Sequence, residues 1–367
     1  MPATMPQTMT AVLLTGHGGF DKLDYRRDVV VPSPAEDEVL IQVLACGINN
    51  TDINTRIGWY APSVTTATDD GARDGFDDLT SGTGAWSGEA LAFPRIQGAD
   101  VCGRIVGVGQ QVDPGRLGER VIVAPMQPHP SGEPWRCITM GSEINGGFAQ
   151  YVAVRTTTAY PVESDWSDIE LASIPCAWST AENMLHRADV SRDDRVLITG
   201  ASGGVGSAAV QLAKRRGAAV MAVAGQAKAE QVRDLGADQV IARESDLLQA
   251  LGRDTVDVVC DLVAGPQWPQ LLDVLKTGGR YAVAGAIAGP LVELDVRTLY
   301  LKDLTFLGCT YQDPAVFRNL VTYIEKNEIR PVVAKSYALE EIVRAQKDFL
   351  SKAHTGKLVM VPPAQEM

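Results

Sequence analysis

The chain contains no apolar run of the roughly 18 residues that a membrane-spanning helix requires, which excludes an ordinary helical membrane protein. Residues 1–10 carry neither a basic region nor an apolar stretch, which argues against a secretion signal and for a short disordered tail. None of the six cysteines (Cys46, Cys102, Cys137, Cys176, Cys260, Cys309) forms a CxxC pair. Without a secretion signal they are expected to be reduced thiols, several of them buried, in a cytoplasmic protein. Basic residues are in deficit: 33 Lys and Arg stand against 45 Asp and Glu, for a formal net charge of −12. Nucleic acids and anionic membranes call for a basic face, so neither is an expected partner. Part of the acidity gathers at Asp69, Asp70, Asp74, Asp77 and Asp78, the pattern of a solvated loop.

What is present suffices for real cores, with 45% hydrophobic and 21% charged residues. At 367 residues the chain is about twice the usual domain length, so two domains are expected. The first half is β-rich, with short runs at 39–44, 103–108, 118–123 and 148–154 broken by Gly and Pro clusters. The interval 61–94 differs, being rich in Ser, Thr, Gly, Asp and Ala. Long loops of this kind are functional lids or disorder, and Trp86 and Phe93 hint at docking. From about Ile169 helix and strand alternate. A helical pattern over 169–186 holds Pro175 near its middle, which predicts a break there. Apolar strand cores follow at 196–198, 220–223, 240–241, 256–259 and 281–283. Continuous apolar strands separated by helices predict an α/β architecture, a doubly wound parallel sheet covered on both faces. Helices over 313–326 and 339–351 and a strand over 357–361 close the chain.

The central signal is the segment Val196-Leu197-Ile198-Thr199-Gly200-Ala201-Ser202-Gly203-Gly204-Val205-Gly206. Ala201, Gly203 and Gly206 stand at GxGxxG spacing, after an apolar strand and at the start of a helix, which is the context that dinucleotide binding demands. Gly203 lets the backbone approach the pyrophosphate, and Gly206 lets the helix pack closely on the strand. The N–H groups at the helix start, near Ser202, Gly204 and Val205, then face the phosphates. A site preferring NAD usually ends its second strand in Asp or Glu, which binds the ribose diol. Here that strand runs into Gly225-Gln226-Ala227-Lys228, and no carboxylate appears until Glu230. Lys228 and Arg243 could balance a 2′-phosphate, so NADP(H) is the expected cofactor.

With these residues in place the chain resembles the medium-chain dehydrogenase/reductase superfamily over nearly its whole length. The likeness includes Cys46-Gly47-Ile48-Asn49-Asn50-Thr51-Asp52, Gly98-Ala99-Asp100, Gly146-Gly147-Phe148-Ala149-Gln150-Tyr151, the glycine loop, Gly278-Gly279-Arg280 and Thr355-Gly356-Lys357-Leu358-Val359. The resemblance implies a GroES-like β-barrel domain built from 1–160 and 309–367, with a Rossmann domain over 161–308 between them. It also implies cofactor contacts at Thr180, Val263, Gly285, Ala286, Cys309 and Lys357, and a homodimer or homotetramer. Zinc alcohol dehydrogenases of this superfamily have Cys where Asn49 stands and His-Glu where Ala99-Asp100 stand. A catalytic zinc needs three protein ligands. The region matching their four-cysteine structural lobe, 125–145, holds only Cys137 and His129. No metal is therefore expected.

The chain is similar to the zinc-independent branch, the quinone oxidoreductases and enoyl reductases. Its segment from Asn49 to Tyr60 resembles the Asn-x-x-Asp…Gly-x-Tyr stretch of those members. In enoyl thioester reductases the matching tyrosine is the proposed proton donor; the other reading is that Tyr60 packs over the nicotinamide. Asn49 is a candidate amide near substrate or nicotinamide, Asp52 and Arg56 are an expected ion pair, and Asp100 is an expected buried acid. These residues imply an NADPH-dependent reductase of quinones, enones or other activated C=C acceptors. The alternatives are an NADP-dependent alcohol or carbonyl dehydrogenase and a non-catalytic dinucleotide-binding protein. The 61–94 insert is expected to border the substrate entrance.

Overall fold

The computed structural model describes residues 5–76, 84–87 and 90–364. Six parallel strands form one sheet, in the order Gln239–Ala242, Ala219–Ala224, Arg195–Ile198, Val256–Asp261, Leu275–Val283, Thr305–Gly308. All five strand cores expected in this region lie in it. The chain order reverses between Arg195–Ile198 and Val256–Asp261, leaving a crevice beyond their carboxyl ends. Both faces are covered, as the uninterrupted apolar strands require. Val196, Ile198 and Val258 pack toward Trp178, Leu212 and Phe317 on one side. Leu197, Met221 and Val259 pack toward Trp268 and Leu271 on the other. Each such side chain contributes about 1.5–3 kcal/mol by leaving water.

The helix expected over 169–186 is broken as Pro175 demands. A short helix Asp168–Leu171 ends, and Pro175 becomes the first residue of Pro175–Arg187, where its missing N–H costs nothing. The glycine-loop helix Gly204–Arg215 packs against Pro175–Arg187, and so does Pro314–Glu325.

The second sheet joins the two ends of the chain. Glu38–Gly47 pairs with Val101–Val108 and Tyr151–Arg155, and it also takes the C-terminal strand Lys357–Val361 antiparallel, with Met360 opposite Cys46. Val333–Ala338, a strand without a sequence expectation, flanks Lys357–Val361. This pairing sets Lys357 beside the end of Glu38–Gly47, directly before Asn49. Among the described residues no helix is long and apolar enough to cross a membrane.

Candidate active site

The glycine loop leaves its strand through Gly200, whose φ of 60° is left-handed. A Cβ on Gly206 would lie 2.2 Å from the Gly200 carbonyl oxygen and 2.6 Å from Ala201 Cα, so only glycine lets the helix sit this close. A Cβ on Gly203 would meet only the Gly200 oxygen, at 3.4 Å. The loop is therefore tight on its inner side and open at exposed Gly203, where a pyrophosphate could approach. Ser207 N–H bonds back to Gly203 O at 2.9 Å. The first N–H groups of the helix, from Gly204 and Val205, have no helical partner to reach and suit an anion. The residues present thus fit a dinucleotide.

Beyond Gly225 and Gln226, Lys228 is half-buried and donates to the carbonyls of Lys352 at 2.6 Å and His354 at 2.5 Å. Burial lowers its pKa, and the charges of Arg243 and Lys352 add to the effect. His354 is pushed down to about 4 by burial and then by Lys228, Lys352 and Lys357. Arg243 is exposed, with Glu244 at 3.1 Å. This cationic corner also includes Lys352, with an uncharged His354 beside it; neither carries a local sequence signal, because they arrive from the far end of the chain.

At the other end of the crevice, Val263, Gly285, Ala286 and Cys309 follow the ends of three neighbouring strands. Asp261, missed by the sequence reading, organises this rim. Its buried carboxylate accepts from Thr199 Oγ1 and Tyr281 OH, each at 2.6 Å, and from Val263 N–H at 2.9 Å. An acid ending the apolar run Val258-Val259-Cys260 was the available signal. Thr180 donates to Cys176 O at 2.8 Å within its helix. Cys309 is a buried thiol whose pKa burial raises, which is how a packing residue behaves.

The barrel supplies the facing wall. Asn49 precedes helix Asn50–Ile57, whose Asp52 carboxylate accepts from Asn49 N–H at 2.8 Å and Gly98 N–H at 3.1 Å. Burial pushes Asp52 up to about 7, against the pull of those two donors. The expected Asp52–Arg56 ion pair does not form, because backbone groups claim both partners. Arg56 is fully buried and donates to the carbonyls of Gly18 and Ala72, each at 2.7 Å, and to Gln346 Oε1 at 2.9 Å. Its guanidinium also lies 4.4 Å from the Phe20 ring centre, and burial lowers its pKa to about 10.

Asp100 is fully buried, as expected. Its carboxylate accepts from Lys357 Nζ and Asn49 Nδ2, each at 2.8 Å, and from Cys176 N–H. The Lys357 ammonium further donates to Asn49 Oδ1 at 2.5 Å and Ile48 O at 2.8 Å, while its methylenes lie against Gly204. Gly356 N–H donates to Ser202 O at 3.0 Å, tying the same segment to the glycine loop.

Tyr60 OH reaches Thr51 Oγ1 at 3.3 Å. Its ring lies 5.6 Å from Trp59 and 5.4 Å from Trp86. Burial raises its pKa well above that of a free phenol, so it stays protonated. Trp86 comes from the 61–94 insert, whose residues 77–83 and 88–89, including Asp77 and Asp78, lie outside the described set. The insert docks at two places. Trp86 and Ser87 N–H groups bond Ser142 and Glu143, and Thr68 N–H bonds Ile287 O at 3.2 Å, next to Gly285-Ala286. His129 bonds Ser131 at 2.7 Å, and no group of three metal-binding side chains occurs among the described residues.

A Rossmann sheet carrying a glycine loop, faced by a barrel that draws on both ends of the chain, is the architecture of a dinucleotide-dependent oxidoreductase. Residues 35–164 match the family described as alcohol dehydrogenase GroES-like domain, and residues 204–326 match zinc-binding dehydrogenase. A solved structure from Sinorhizobium meliloti, provisionally assigned as an alcohol dehydrogenase, is 47% identical, covers 98% of each chain and has a TM-score of 0.87. The quinone oxidoreductase of Lama guanicoe is 28% identical over 98% of this chain and 99% of its own. The acryloyl-coenzyme A reductase of Metallosphaera sedula is 28% identical over 96% and 99%. The chain belongs to the medium-chain dehydrogenase/reductase superfamily, in its quinone oxidoreductase-like branch.

Proposed function

We propose that the protein is an NADPH-dependent, zinc-independent reductase of quinones, enones or other activated C=C acceptors. The observation that carries this is the donor set around Lys357. Zinc-dependent members have a thiolate and a histidine where this chain has Asn49 and Ala99, and an ammonium already stands among Asn49 Oδ1, Asp100 Oδ2 and Ile48 O. A carboxamide and a lysine-neutralised carboxylate do not fit a zinc ion. Without a Lewis acid, an alcohol lacks its activating group, whereas hydrogen bonds can stabilise the enolate of an activated alkene.

The glycine loop at 201–206, with the Lys357 stem along it, would hold the pyrophosphate. Gly225, Gln226, Lys228 and Arg243 would hold the adenosine 2′-phosphate, and Thr180, Val263, Gly285, Ala286 and Cys309 would border the nicotinamide. When bound, the reduced nicotinamide supplies hydride to the electron-poor carbon. The alkene π pair would then become the enolate C=C bond as the carbonyl π pair moves onto oxygen, which the Asn49 amide would hold, and Tyr60 or water would supply the proton. Trp59 stands edge-on to Tyr60 and Trp86 lies tilted against it, an aromatic cluster that supports the reading that the insert borders the substrate entrance.

Alcohol dehydrogenation is the second reading, favoured by the 47% identical Sinorhizobium meliloti protein. NADPH oxidation in EDTA with 1,4-benzoquinone, an enone and an enoyl thioester separates the two. Turnover supports the reductase, while silence with all three despite NADPH binding overturns it.

We further propose a homodimer or homotetramer. Among the described residues edge strand Thr305–Gly308 pairs on one side only, and Leu291, Val296, Tyr300 and Leu301, just before it in the chain, are 59–70% exposed. A monomer by light scattering would refute it. All six cysteines are free thiols, which suits a cytoplasmic setting.

A further inference from the structure

We infer that Lys357 and Asp100 are positioning residues that orient and polarise the Asn49 carboxamide, so that its remaining N–H becomes a strengthened donor to substrate oxygen. The inference rests on the reductase reading for its kinetic consequence and on geometry for everything else.

A carboxamide can usually turn over, exchanging its oxygen and nitrogen at little cost. This one cannot. Lysine only donates and an ionised carboxylate only accepts, and the two grip opposite ends of the amide. Lys357 Nζ is 2.5 Å from Asn49 Oδ1, and Asp100 Oδ2 is 2.8 Å from Asn49 Nδ2. One Nδ2 hydrogen is thereby spent and one remains. An ammonium on the amide oxygen draws electron density from the nitrogen, and in a buried setting such chained hydrogen bonds strengthen one another. Lys357 is 3% exposed and Asp100 fully buried, so water does not screen the effect. The pair leaves the cluster neutral, because the cation is matched at 2.8 Å by Asp100. A fixed internal cation acting through an amide thus stands where zinc-dependent relatives place a metal.

Lys357 also touches the glycine loop, since its Cδ would lie 2.8 Å from a Cβ on Gly204. A purely packing role would therefore disturb dinucleotide binding, whereas a role exerted through Asn49 would not. The test is Lys357→Met combined with Asp100→Asn, which removes both charges together and avoids a lone buried ion. With near-UV circular dichroism confirming the fold, kcat is expected to fall about tenfold, less than the loss of a whole oxyanion donor, while the NADPH Kd stays within about threefold. Adding Asn49→Ala should then cost about a further 10- to 100-fold, because it removes the donor that the double variant leaves in place, unoriented. A kcat near wild type, or an NADPH Kd that rises as much as kcat falls, overturns the inference.

A second measurement needs neither turnover nor the double variant. The Asn49 side-chain amide resonance, identified by its disappearance in Asn49→Ala, is expected downfield of ordinary asparagine amides in the wild type. An ordinary position overturns the inference. A downfield resonance in a protein that reduces no acceptor leaves the inference standing and defeats the reductase reading instead.

Discussion

Replacing Gly206 with alanine would set a methyl group 2.2 Å from the Gly200 oxygen and 2.6 Å from Ala201 Cα, both backbone atoms that cannot swing aside. The helix or the loop must shift, and such overpacking costs about 1–3 kcal/mol. For a domain of this size that lowers Tm by roughly 2–4 °C per kcal/mol. Gly203→Ala is the informative partner, because its methyl group meets only the Gly200 oxygen, at 3.4 Å, an ordinary contact. The empty protein should melt within about a degree of wild type. If the pyrophosphate lies over Gly203, however, that methyl group occupies ligand space. A similar overpacking cost, now paid on binding, weakens NADPH about 5- to 150-fold. Calorimetry of the empty proteins and fluorescence titration with NADPH measure the two quantities separately. Gly203→Ala binding NADPH like wild type would refute the assignment of the loop, whatever Gly206→Ala does to the melt.

Lys228→Ala with Arg243→Ala should weaken NADPH on the order of tenfold, the loss of a charge-assisted hydrogen bond of about 1.5 kcal/mol. NADH binding should change less than twofold, and an equal loss for both cofactors would refute a 2′-phosphate site. Asp52 gives a pH signature. Burial raises its folded pKa to about 7 from the ordinary 3.8, so the folded protein holds a proton that the unfolded chain releases. That contribution is complete below the lower value and is lost as pH rises toward 7. Between pH 5.5 and 7 the fall reaches about 2 kcal/mol, and urea midpoints should show it in wild type but not in Asp52→Asn. Trp86→Ala removes the ring 5.4 Å from Tyr60 and should raise the quinone KM about five- to tenfold, the worth of an aromatic contact, with NADPH affinity unchanged. An unchanged KM would move the insert away from the entrance.

The geometry of the glycine loop was legible in the sequence because it is local. A strand, a left-handed glycine and a helix start are consecutive, so spacing alone states what they can hold. The parallel sheet was legible for the same reason, since each buried strand is a continuous apolar run. The helix break followed from Pro175, whose effect reaches only one turn. The Asp52–Arg56 pair failed because helical spacing makes two side chains neighbours without deciding what else they meet. Backbone N–H groups from Gly98 and carbonyls from Gly18 and Ala72 outcompeted the pairing, and all three come from elsewhere in the chain. The Asn49–Asp100–Lys357 cluster had no local signal at all. Asn49 and Lys357 are 308 residues apart and meet only because the C-terminal strand pairs with Glu38–Gly47. Sequence by itself thus determined most of the elements and the shape of the glycine loop, which depend on neighbours along the chain. Only the tertiary structure decided which charges share a buried space, because a buried ion takes whatever partner long-range packing brings within reach.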